Sequence, residues 1–181
     1  MKRVILSLAL AFVTVFAFAQ TSSILRPRME VAEVEVNDGA LTIDIFYMND
    51  ESPRTYWLSL GNLGVGTDIV QVDFDPVFEL FIPLGNNLEE AVAKMEELKA
   101  LYKMPRLEKT EIQGSFAALY PKSDELVTVT ITSRRFIFSK ILEFSLPTGS
   151  EGIVRATHIS RSNFRSLLSS LKIYKALHPK D

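Results

Sequence analysis

The chain has no cysteine at all. That absence excludes disulfide cross-links, thiolate metal sites and cysteine nucleophiles, and it excludes a bacterial lipoprotein anchor, which needs an acylated Cys after the cleavage point. Stability must come from packing. Histidine is nearly as scarce, with only His158 and His178, so an imidazole metal site has little to draw on. The eight glycines and eight prolines fall in short breaks, with no linker that would divide the chain. Acid is missing from one long stretch: Gly152 to Lys180 carries six basic residues and no Asp or Glu.

What is present begins with a leader-like segment. Lys2 and Arg3 precede an apolar stretch from Val4 to Phe18, and Ala17-Phe18-Ala19 has the A-x-A form of a cleavage site. The apolar run is shorter than the ~20 residues of a membrane-spanning helix, and it ends at a polar Gln-Thr-Ser-Ser. Residues 1–19 are therefore expected to be a signal peptide. Cleavage near Ala19 would yield a periplasmic or secreted product with no membrane span. Loss of Lys2 and Arg3 lowers the basic count from 20 to 18 against 22 acids, a balance of −4. The 162 residues left suit an irregular arm at 20–29, where Pro27 blocks a helix, and one α+β domain at 30–179.

The segment Asn87 to Met104 organises that domain. Leu88, Ala91, Val92, Met95, Leu98 and Tyr102 recur at helical spacing, Asn87 is placed to cap, acids fill the first turn, and Pro105 stops the helix. A second helix is expected from about Ser162 to Leu177, capped by Ser160 or Ser162, with Phe164, Leu167, Leu168, Leu171 and Tyr174 as its buried stripe. Elsewhere the pattern alternates. Val34 and Val36 oppose Glu33 and Glu35, Asn37-Asp38-Gly39 makes a hairpin turn, and Leu41, Ile43 and Ile45 resume the alternation. Residues 54–60, 68–83, 107–120 with a bulge at Gly114, 126–132, 142–146 and 153–159 complete the strands, and Ser133-Arg134 either turns the 126–132 strand or lets it run on into Phe136-Ile137-Phe138. Strands with one apolar face need cover, and the two helices are the cover available. The expected fold is a curved antiparallel sheet of about seven or eight strands with two amphipathic helices on one face. Each half runs strands first and helix last, although the residues of the two halves do not align. A small barrel gripping the helices is the alternative.

Few chemistries find their parts. Gly61-Asn62-Leu63-Gly64-Val65-Gly66 has neither the Lys-Ser or Lys-Thr nor the following helix of a phosphate-cradling loop, so it reads as a bend and no cofactor is expected. Asp73-Phe74-Asp75 is followed by Pro76 and Phe78, which does not continue as a calcium loop. His158 is the one base placed for serine hydrolysis, but Ser160 is more simply a helix cap, and no G-x-S-x-G elbow occurs. Aromatic residues around Tyr56-Trp57, Phe74, Phe78, Phe81, Phe136, Phe138 and Phe144 are chiefly core, with an apolar ligand pocket as the alternative.

Charge carries more. Between Met29 and Glu97 fifteen acids meet only Arg54 and Lys94, against the acid-free basic end. The two ends are expected to neutralise each other across the fold, or else to present separate surfaces. On the second helix Arg161, Arg165 and Lys172 lie along one edge of the apolar stripe and are the candidate binding residues, with Lys175 close by. The acidic balance and export argue against nucleic acid. The same helix has its apolar stripe committed to the core, which argues against it as a membrane-surface helix. The leading expectation is a noncatalytic binding or accessory domain of a bacterial envelope with a protein or small-molecule partner. The alternatives are a hydrolase of envelope or extracellular polymers and a carrier of an apolar small molecule.

Overall fold

The computed structural model describes residues 28–36, 41–48, 54–62, 64–65, 79–117, 120–136, 138–147 and 155–179. The leader, most of the arm, the 37–40 turn, the Asp73-Phe74-Asp75 segment and Phe74 and Phe78 lie outside the described residues.

The strands are β1 (Arg28–Val36), β2 (Leu41–Met48), β3 (Tyr56–Asn62), a two-residue β4 (Gly64–Val65), β5 (Glu79–Gly85), β6 (Lys109–Ala117), β7 (Leu126–Phe136), β8 (Ser139–Ser145) and β9 (Arg155–Ser160). They form one antiparallel sheet in the order β1-β2-β3-β5-β6-β7-β8-β9-β4. Counting β4 as a short bridge leaves eight strands of ordinary length. Only residue 63 separates β3 from β4, yet β4 pairs with β9 at the far end of the order. The sheet must therefore curl until β9 approaches β3, and it does so without closing into a barrel.

Helix α1 (Leu88–Ala100), extended by a 3₁₀ turn at Leu101–Lys103, joins β5 to β6, and α2 (Arg161–Leu177) follows β9 directly. Every local signal at the start of α1 agrees. The Asn87 side chain accepts from the Glu90 N–H at 2.9 Å, while the Glu90 carboxylate reaches back to accept from the Asn86 N–H at 2.7 Å. This reciprocal arrangement satisfies donors that the helix itself leaves open. Leu88, Ala91, Met95 and Leu98 of α1 and Phe164, Leu167, Leu168 and Leu171 of α2 are buried in one core with Leu58, Leu80, Ile82, Ile131, Leu142, Phe144 and Ile159 of the sheet. Both helices thus cover the same face. Full burial of a Leu or Met side chain contributes roughly 1.5–3 kcal/mol each, which is where a chain without disulfides finds its stability.

Alternation puts a second, smaller cluster on the other face. Phe46, Trp57 and Phe81 are buried there, with Phe46 and Phe81 edge to face at 5.8 Å. Ser59, on that face too, donates to the Glu79 carboxylate at 2.7 Å.

Some details differ from the sequence-based expectation. β1 begins at Arg28, so the arm ends two residues early. Of the two courses open at Ser133-Arg134, β7 takes the continuous one and runs to Phe136. Gly114 is in unbroken register with Val127 and forms no bulge. A Cβ there would lie 2.8 Å from Val129 Cγ2 and 3.1 Å from the Phe81 carbonyl oxygen, so the glycine permits close approach of neighbouring strands.

Candidate anion-binding site

The hairpin of β7 and β8 and the start of α2 meet at one end of the sheet, and between them lies a cavity of about 390 Å³. Its charge comes from Arg135, Lys140, Arg161 and Arg165. Ser139 and Ser162 add hydroxyls, and Phe138 forms part of its lip.

Each cation is placed by simple rules. Strand alternation from Val129 through Ile131 and Ser133 brings Arg135 to the helix-covered face, and the ladder sets Lys140 opposite it. Lys140 Nζ donates to the Tyr102 carbonyl at 2.9 Å and reaches the Met104 carbonyl at 3.5 Å. These carbonyls close the 3₁₀ turn after α1, where a cation is favoured. Arg161 and Arg165 stand one turn apart on α2, whose first turn holds no acid.

That arrangement is unfavourable by itself. Cations near a helix N-terminus oppose its dipole, and like charges at i,i+4 repel by about 0.2–0.5 kcal/mol. α1 does the reverse, with Glu89 and Glu90 in its first turn and Lys99 in its last. No acid lines the cavity, and among the described residues Arg135, Arg161 and Arg165 have no ion-pair partner. An anion held there would remove both penalties.

The floor is rigid. Tyr102 is buried, packs edge to face on Phe164 at 5.6 Å, and donates its hydroxyl to the Ile159 carbonyl at 2.9 Å. Burial pushes this phenol well above its ordinary pKa, and the Arg161 charge opposes that only partly, so Tyr102 serves as a neutral donor. Ser160 caps α2, accepting from the Asn163 N–H at 3.1 Å, and its hydroxyl lies 2.9 Å from that of Ser162.

Arg161 and Arg165 are brought together in the cavity, and Lys172 is not. Lys172 pairs with Glu96 of α1 at 2.5 Å, and Lys175 pairs with Glu89. Lys172 and Lys99 hold the Glu96 carboxyl well down, to a pKa of about 2. The expected neutralisation of the acidic and basic segments is therefore real for the later part of α2 and stops before its first two turns.

Arg135 and Lys140 escaped the sequence reading. Their signal was the string Arg134-Arg135-Phe136-Ile137-Phe138-Ser139-Lys140, a short apolar tip bracketed by cations. His158 is exposed and faces Glu143 across the ladder, while the Ser160 hydroxyl is engaged as a cap. Among the described residues no group of three His, Cys, Asp or Glu is placed to hold a metal. No family model, curated protein or solved structure matches the chain, so the functional reading rests on the chemistry of this cavity.

Proposed function

We propose that the chain is an exported, noncatalytic binding domain of a bacterial envelope, and that its cavity takes an anionic group. The observation that carries this is the set of four cations around one opening, three of them without an ion-pair partner among the described residues, at a helix start stripped of acid. Arginine supports it further, because the planar guanidinium presents two parallel donors to a phosphate or carboxylate. Among the described residues the lining contains no carboxylate, histidine or tyrosine side chain, and its Lys140 ammonium is engaged by the Tyr102 carbonyl, which favours binding over turnover.

Titration calorimetry of the processed chain with glycerol phosphate tests the reading. Saturable binding that weakens as salt rises is expected. The double change Arg161→Ala with Arg165→Ala should lower affinity about tenfold or more, since each charged hydrogen bond is worth ~1.5–3 kcal/mol. Lys172→Ala should leave it unchanged, because that charge is spent on Glu96. Absence of binding, or a loss in Lys172→Ala equal to that of the double arginine change, would overturn the cavity assignment.

A further inference from the structure

We infer, resting on the anion-binding reading above, that the partner is a bilayer surface bearing phosphate headgroups. In this mode the β7–β8 hairpin tip enters the interface and the cavity cations hold the headgroups. The starting point is Phe138, which is 91% exposed at the lip of the cavity. A receptor for a small soluble anion has no use for a phenyl ring held out in water beside its cations. An aromatic ring at the headgroup level with Lys and Arg around it is the arrangement that membrane interfaces select.

A second apolar side chain marks the same end of the fold. Leu107 is 56% exposed and sits at a φ of 68°, a backbone region costly for a branched residue. Its N–H donates to the Ser133 carbonyl at 2.7 Å, two residues before Arg135, so the loop after α1 lies beside the hairpin. Leu107 lies between Arg106 and Glu108, with Lys109 next, and all are exposed. Exposed apolar side chains thus come from two separate loops at one end.

Charge complementarity points to an anionic surface. Glu89, Glu96 and Glu97 of α1 are drawn into pairs with Lys94, Lys99, Lys172 and Lys175, whereas Arg135, Arg161 and Arg165 have no ion-pair partner among the described residues. A chain with a net acidic balance can then approach an anionic bilayer by one end only. The apolar stripe of α2 stays in the core, and the hairpin supplies the inserting group that the helix cannot.

The test is flotation of the processed chain, recovered after export and with its N-terminus verified by mass spectrometry. The vesicles are phosphatidylcholine alone or phosphatidylcholine mixed with phosphatidylglycerol. Binding to the mixed vesicles only is expected, and added salt should weaken it. Phe138→Ser should reduce the vesicle-bound fraction about tenfold, and Phe138→Trp should retain vesicle binding. Unaltered vesicle binding by Phe138→Ser would overturn insertion of the tip. Binding to glycerol phosphate without binding to vesicles would sink the bilayer inference and leave the anion site standing. Binding to neither would end both.

Discussion

Lys140 donates to the Tyr102 carbonyl at 2.9 Å, fastening β8 to the end of the α1 segment across 38 residues of chain. The same ammonium is a wall of the cavity, so it belongs to both the fold and the site. Lys140→Met keeps most of the stem and deletes the charge. It should cost about 1–2 kcal/mol, read from urea denaturation, because it leaves two carbonyls without their shared donor. Its effect on glycerol phosphate affinity should be smaller than that of the Arg161 and Arg165 pair, whose charges have no ion-pair partner among the described residues.

Acid should loosen the junction between the helices. The Glu96 carboxyl falls from an ordinary 4.5 to about 2 in the folded chain, first through hydrogen bonds to Lys172 and Lys99. A folded pKa below the unfolded one means that the contribution is fully present above pH 4.5 and is lost as pH falls toward 2. Glu96→Gln should flatten the stability profile in that window, lowering stability at neutral pH and leaving it nearly unchanged near pH 2. Raising salt should shrink the difference between the two proteins, since the pair is exposed. Parallel profiles at low salt would show that the pair does not matter.

Two glycines should resist alanine for different reasons. Gly85 has a φ of +127°, and a Cβ there would lie 2.4 Å from Glu90 Cβ, against the residue that closes the α1 cap. Gly85→Ala should cost about 2 kcal/mol or more, combining backbone strain with a disturbed cap. Gly114→Ala meets the Phe81 carbonyl oxygen, which cannot swing aside as a side chain would. Chemical denaturation should show both variants less stable, with Gly114→Ala also slackening the pairing of β5 with β6 in hydrogen exchange.

The elements that could be read from sequence are those whose causes are local. α1 was legible because Asn87, Glu90, the apolar spacing and Pro105 all lie within one stretch and agree. The strands were legible from alternation, and the two-helix cover followed from the need to bury one face. Gly114 was misread as a bulge because its neighbours, Phe81 and Ile82 on β5 and Val129 on β7, are assembled by the sheet. Lys172 sits on the same helix edge as Arg161 and Arg165, and nothing on that helix reveals that Glu96 faces it. Arg135 and Lys140 join the site only because β8, β9 and α2 carry the chain back past the hairpin. Half of the site was visible as a stripe, and the other half is a product of topology.

α2, the last element made, packs on β1, the first, as well as on β2, β8, β9 and α1. The opening hairpin therefore has no lid until the C-terminus arrives. A chain cut before Arg161 should remain loose and easily digested, and the intact one should acquire its structure late and nearly all at once. Such a fold stays pliable along most of its length and sets only when this helix docks.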